Sequence, residues 1–356
     1  MKSFKRALAV LLAGILLVAT MGIAVNAASE DITDKFTDPI FREDILYLYD
    51  ANRDGRIVAD EVAWVRVVVV SEWDISSLEG IEYFTALEYL YCDCNQLTAL
   101  DVSKNTALIA LWCAGNQLTA LDMSENTALE ILYCTGNALT TLDIHKNKAL
   151  QVLECSKNQL TTLDVSENTA MEILRCSENQ LTTLDVSKNT ALKMLECNKN
   201  QLAVLNVSEN TVLETLKCDE NQLATLNTSK NTALRELDCY HNKLTALDVS
   251  KNTRLVSIHC IWNELTVLDV SKNTALYILS CDDNRLTALD VSNNMTLRFL
   301  GCSYNYFPNK AAIIGLDEAR TEVHFDPQNT IPWWQKLPLF VQWVLRYLLF
   351  GWIWMN

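Results

Sequence analysis

The chain is poor in the residues from which enzymes build their chemistry. Its 356 residues include only four histidines and nine glycines. It has no Gly-x-Ser-x-Gly elbow, no glycine loop to cradle phosphate and no His-Glu-x-x-His helix, the usual marks of acyl transfer, nucleotide chemistry and zinc proteolysis. Twelve cysteines are present, yet none stands in Cys-x-x-Cys and no histidine column accompanies them, which argues against structural zinc. Basic residues are scarce too: 29 Lys and Arg face 44 Asp and Glu, a net charge of −15. So acidic a surface disfavours nucleic acid and acidic bilayers, and suits a well-hydrated protein. His145 falls where neighbouring repeats place serine, and His324 lies near the end of the fold. His241 and His259 could approach Asp238, but an open repeat face lacks the enclosed pocket that catalysis uses. No enzymatic activity is expected.

What the chain does contain is one unit, written again and again. Leu87-x-x-Leu90-x-Cys92-x-x-Asn95-x-Leu97-x-x-Leu100-x-Val102-x-x-Asn105 returns 21 residues later from Leu108, and so on to Asn305. A fixed short period is the mark of a solenoid. Leu-x-Cys and Leu-x-Val alternate as short strands do, and the asparagine after each suits a turn. One coil is therefore expected to read strand, turn, strand, turn, with strands on two faces of a rod. Leucines, cysteine and valine point inward, and stacking closes a core that no single coil could close alone. At ~4.8 Å per coil, ten coils make a rod of roughly 50 Å.

This pattern resembles a leucine-rich repeat, in the short nested form found in bacterial surface proteins. Ile75-Ser-Ser-Leu78-Glu-Gly-Ile81-Glu-Tyr-Phe84 resembles the opening coil of internalin-like and clostridial surface proteins. The resemblance implies a β-rich repeat rod over 75–305. The expected function is that of an exported, surface-associated monomer that binds a protein or a glycan; a structural spacer or adhesin stalk that holds the C-terminal tail is the alternative. It does not single out a ligand, because such repeats bind many things.

Columns of the repeat separate structure from recognition. Eleven cysteines, from Cys92 to Cys302, share one inward position, where a free thiol acts as a small apolar group. Stacked neighbours lie within disulfide distance, but their Cβ vectors run parallel, so a reduced ladder is expected. A column of aspartates, Asp101 to Asp290 with Asn206 and Asn227 at two places, repels itself unless backbone N–H groups or the serine two residues on compensate. A calcium ladder on that column is the alternative. Opposite lies monotonous Thr-Ala and Thr-Thr. The position before each cysteine varies, as a binding face requires. Tyr91, Trp112 and Tyr133 form an aromatic strip there. Tyr240, His259, Ile261, Trp262, Tyr277 and Asp282 make a second candidate ligand surface, all read as outward by strand alternation. The alternative is that repeat drift scatters aromatics without purpose.

The ends differ from the repeat. Lys2, Lys5 and Arg6 precede an apolar run that closes at Val25-Asn-Ala27, a signal peptide over 1–27; a retained anchor is the alternative. Asp38-Pro39 opens a helix within a cap over 28–74. It leads into Asp50-Ala-Asn52-Arg-Asp54-Gly55-Arg56-Ile57-Val58-Ala-Asp60-Glu61, which matches an EF-hand calcium loop. Asp50, Asn52 and Asp54 offer oxygens, Arg56 its carbonyl, Glu61 a bidentate carboxylate, and Gly55 the sharp turn; water must serve at Val58. A helix-turn-helix that keeps the loop without Ca2+ is the alternative. Over 306–330 a cap is expected, with a short helix at 310–319, a last strand at 322–325 and a stop at Pro327. Residues 331–356 read as a Trp-rich apolar helix whose Gln335, Gln342 and Arg346 share a face, which favours membrane-surface or partner contact over crossing. That ending resembles tails of clostridial surface proteins.

Overall fold

The computed structural model describes residues 30–329. The expected leader and the apolar tail lie outside them. Among the described residues no helix is long and apolar enough to cross a membrane.

Thirteen short parallel strands stack into one sheet. β1 (Val67–Val69) belongs to the N-terminal cap. The repeats then supply β2 (Tyr89–Tyr91), β3 (Ala110–Trp112), β4 (Ile131–Tyr133), β5 (Val152–Glu154), β6 (Ile173–Arg175), β7 (Met194–Glu196), β8 (Thr215–Lys217), β9 (Glu236–Asp238), β10 (Ser257–His259) and β11 (Ile278–Ser280). β12 (Leu289–Asp290) and β14 (Ile313–Ile314) pair by themselves, while β13 (Phe299–Gly301) and β15 (Glu322–His324) finish the main sheet. Register follows the repeat, so Leu195 lies beside Leu216 and Glu196 beside Lys217.

Each coil turns the same side chains inward. In the coil of β7, Leu192, Leu195, Cys197, Leu202 and Val207 are fully buried. Burying one such leucine stabilises by about 2 kcal/mol, and the contribution recurs in every coil. All twelve cysteines are free; the eleven of the column are buried and Cys94 is exposed. Burial pushes the Cys176 thiol up to about 12, so the ladder stays protonated.

Two asparagine columns tie coil to coil. Asn116 Nδ2 donates to Cys113 O in its own coil and to Cys92 O in the preceding one, each at 3.0 Å, while its Oδ1 accepts Leu97 N–H at 3.0 Å. Deeper, Asn210 Nδ2 donates to Val186 O at 3.0 Å and Asn189 O at 2.9 Å. The first column requires a sharp corner: the residue before each of its asparagines has positive φ, among them Lys157, Lys199, His241 and Trp262. In that column only Gly115 and Gly136 fill the left-handed position with the residue suited to it.

The expectation of strands on two faces is corrected. The Leu-x-x-Leu-x-Val half-coil is extended but forms a ladder only at the last pair, β12 with β14. Within it Asn116 takes Leu97 N–H, and Asp101 Oδ1 takes Ser103 N–H at 2.9 Å. The aspartate column is thus compensated as expected. Asn206 does the same for Ser208 at 3.0 Å, and hydrogen bonds from Ser187 hold the Asp185 carboxyl below its usual range.

At the N-terminal end, α1 (Pro39–Tyr49) buries Phe41, Ile45 and Tyr49. Asp38 caps it, accepting Ile40 and Phe41 N–H, and its other oxygen accepts Ser76 N–H and Oγ–H at 2.8 Å, joining cap to first coil. The second helix, α2 (Ala59–Val62), is a single turn. Trp64 packs edge-on against Tyr49 at 6.5 Å. At the other end, the helix expected over 310–319 is a 3-10 turn, Lys310–Ala312, followed by β14. Gly315 stops any helix there: its φ is +74°, and a Cβ would lie 2.3 Å from Ser292 Cα.

Candidate functional site

The outer face of the sheet carries the varied columns, and it divides into three zones along the rod. In the first, Tyr91, Trp112 and Tyr133 stack through successive strands. Tyr91 and Trp112 lie 4.2 Å apart at 9°, Trp112 and Tyr133 5.7 Å apart at 20°. The rings cover one another's faces, so the strip shows solvent mainly edges and polar tips. A sugar seeking a ring face meets one only at the two ends of the stack.

The second zone is a ladder of alternating charge. Glu154 pairs with Arg175, Arg175 Nε lies 3.4 Å from Glu196, and Lys217 lies 3.6 Å from Glu196 and 3.5 Å from Glu236. Burial lowers the Lys217 ammonium, but Glu236 and Glu196 outweigh it and hold the group up. The ladder ends at Asp238, where His259 Nε2 stands 4.0 Å from Oδ1 and only 2.9 Å from Ser257 Oγ. Burial, then Glu236, pushes the Asp238 carboxyl up to about 6. Asp219, one coil earlier, is 2% exposed, and burial pushes it also to about 6.

The third zone holds the second candidate surface. Tyr240, His259, Ile261 and Asp282 are half-buried, while Trp262 is 55% and Tyr277 49% exposed. Trp262 occupies the left-handed corner with φ +52°, its ring 5.5 Å from His241. Tyr277 is not outward by strand alternation, since it sits an even number of residues before inward Cys281. Its N–H and that of Ile278 both donate to Val256 O, at 2.8 and 3.1 Å, so the alternation breaks ahead of β11 and Tyr277 escapes to the surface. Tyr277 and Asp282 lie at opposite margins of the face, roughly 16 Å of strand apart. Asp282 Oδ1 accepts Ser303 N–H at 2.8 Å, and the carboxylate overhangs Gly301, where a Cβ would come within 2.3 Å of Oδ2. Asp219 and Glu236 were not singled out by sequence. Asp219 stands in the column after the cysteines, and reading that column as closely as the one before them would have found it.

The N-terminal loop gathers its acids differently. Asp50 oxygens accept Asp54 and Gly55 N–H at 3.2 and 2.9 Å, Asn52 Oδ1 accepts Asp54 N–H at 2.9 Å, and Asp54 Oδ1 accepts Arg56 N–H at 2.9 Å. Buried Glu61 reaches back so that one oxygen takes Ala51 N–H at 3.1 Å and the other Val58 N–H at 3.0 Å. Arg56 also approaches Asp31 at 3.8 Å. Among the described residues no three His, Cys, Asp or Glu side chains are grouped closely enough to hold a metal ion. The donor types and their order around the loop fit calcium. A carboxylate bonded to an N–H keeps further lone pairs for a cation.

The sequence matches no protein-family model and no curated protein. Solved structures do match it. The functional domain of InlJ from Listeria monocytogenes, which includes a cysteine ladder, is 32% identical at a TM-score of 0.78, covering 85% of this chain and 72% of that one. The internalin InlF from Listeria monocytogenes 4b F2365 is 20% identical at 0.68, covering 86% and 100%. The leucine-rich-repeat ectodomain of the receptor kinase GASSHO1/SCHENGEN3 from Arabidopsis thaliana, solved in complex with CASPARIAN STRIP INTEGRITY FACTOR 2, is 19% identical at 0.53, covering 70% and 40%. The last two share the fold alone.

Proposed function

We propose, since the chain belongs to the internalin family of leucine-rich-repeat proteins, as its likeness to InlJ shows, that it is an exported, cell-surface-associated binding protein. It recognises a protein through the outer face of its parallel sheet. One observation carries this reading: aromatic stack, charge ladder and the Trp262 zone follow one another on that face, on a rigid frame. The other side mostly repeats Thr, Ala and Asp, with exceptions such as the exposed Val204 and Val267. A protein and glycan array probed with the purified protein tests the reading. Binding should fall when Trp112 or Trp262 is replaced by alanine, and binding that ignores every change on the sheet face would refute it.

Calcium belongs to the same proposal. One ion in the Asp50–Glu61 loop would draw on Asp50, Asn52, Asp54, the Arg56 carbonyl and Glu61, and would stiffen the cap that covers the first coil. Calorimetry should find one site per chain, lost in Glu61→Ala. The melting temperature should climb with calcium concentration, since the ion binds the folded loop. If chelation and Glu61→Ala both leave melting unchanged, the loop works without a metal.

A further inference from the structure

Asp219 and Asp238 are ill suited to a purely structural role. Asp219 is 2% exposed and its Oδ2 has no hydrogen-bond partner; Oδ1 of Asp238 has none either. A buried carboxylate oxygen left unpaired has given up its water and gained nothing in exchange. The neighbouring cations are taken. Lys217 is shared by Glu196 and Glu236, and Arg175 by Glu154 and Glu196. His259 turns its Nε2 to Ser257. The two aspartates lie on adjacent coils, in the columns just after and just before the cysteines, so their Cα atoms are diagonal neighbours roughly 8 Å apart. Tyr240 stands beside them in the coil of Asp238: its hydroxyl donates to Glu220 at 3.4 Å and helps hold the Asp219 carboxyl down against burial. The spot is a pair of buried and half-buried carboxyls on the outer face, bordered by the half-buried Tyr240.

We propose that Asp219 and Asp238, beside Tyr240, form a subsite for a cationic side chain of the protein partner, a lysine ammonium or an arginine guanidinium. Rotation of Tyr240, a fast motion for a half-exposed side chain, uncovers the two oxygens. The cation then meets both unpaired oxygens and the tyrosine ring. This rests on the sheet face being the binding surface, and it makes the ligand there a protein bearing a basic residue.

Saturation-transfer NMR on the full chain tests it, with N-acetyl-arginine amide and N-acetyl-lysine amide as probes and the uncharged N-acetyl-citrulline amide as reference. Both cationic probes should bind saturably and the citrulline probe roughly tenfold or more weakly. Asp219→Asn and Asp238→Asn should each abolish that preference while raising the melting temperature, because an unpaired buried charge is removed. Asp185→Asn, on the opposite side of the rod, should keep it. Equal binding of the charged and neutral probes, no saturable binding, or variants that bind like the wild type would overturn the subsite. Absence of the preference in the wild type, with array binding still sensitive to Trp262→Ala, would overturn the subsite alone. Array binding indifferent to all changes on the face would overturn the reading beneath it.

Discussion

At the scale of single residues, the deep asparagine column carries a cost that one coil avoids. Oδ1 of Asn210 is buried without a partner, as in its counterparts Asn189 and Asn231. Asn252 differs, because Thr228, standing where other coils have Val, Met or Ile, donates its hydroxyl to Asn252 Oδ1 at 2.9 Å. Thr228→Val should therefore destabilise by about 1–2 kcal/mol in spite of the added methyl, since it leaves that oxygen bare. Val186→Thr, which places a hydroxyl below Asn210, should be close to neutral. Two denaturant midpoints decide it, and a costly Val186→Thr alongside a harmless Thr228→Val would refute the account. Cys197→Ser should cost roughly 1–3 kcal/mol by setting a hydroxyl in an apolar column, and Cys197→Val less. The inward columns were legible because burial leaves a periodic trace. The second job of the asparagines was not, because their partners lie in the preceding coil and no local pattern displays them.

At the scale of the element, strand and cap obey different rules. The Leu-x-Cys half-coil pairs as a strand along the whole rod; the Leu-x-Val half alternates equally well in sequence, yet pairs only as β12 with β14. Alternation alone could not tell the two apart. The same limit applies to Tyr277, whose exposure depends on one carbonyl accepting two N–H groups. In β9 and its neighbours, pH has a definite sign. Asp219 and Asp238 are raised to about 6 from an ordinary value of 3.8, so the folded state favours their protonated forms. Stability from these groups is therefore greatest at low pH and is lost as pH rises from about 4 to about 6. Burial lowers the His259 pKa, which works the other way as pH approaches 6.5. Melting temperature followed from pH 4 to 7 should fall for the wild type by more than for the Asp219→Asn, Asp238→Asn double variant. Parallel curves would show that the two carboxylates are not the cause.

At the scale of the whole molecule, the sheet face acts as a fixed ruler on which contacts are set out coil by coil. Trp262 is exposed on a corner that the asparagine ladder holds, so its loss should leave the frame intact. Trp262→Ala is expected to weaken partner binding by about 2 kcal/mol with no fall in melting temperature. A variant that unfolds early instead would place Trp262 among the supports of the corner. The stacking of the rod could be read from the sequence, because its period is fixed and its inward columns vary little. Which coils a partner reaches could not, because a varied column marks where recognition is possible and says nothing of how its side chains pair among themselves.

The asparagine Nδ2 bonds that cross between coils all run one way. Each coil reaches back with its amides to the carbonyls of the coil before it, as Asn116 does to Cys92 and Asn210 to Val186. Under tension applied at the C-terminal end, the outermost coil has its amides drawn off a neighbour that remains complete, and the next coil then stands in the same position. The rod should give way like a coiled rope paid out loop by loop. In an optical trap, each step should release about 75 Å of contour, the extended length of one 21-residue unit. A single release of the whole rod would mean that the coils hold one another more strongly than these bonds imply.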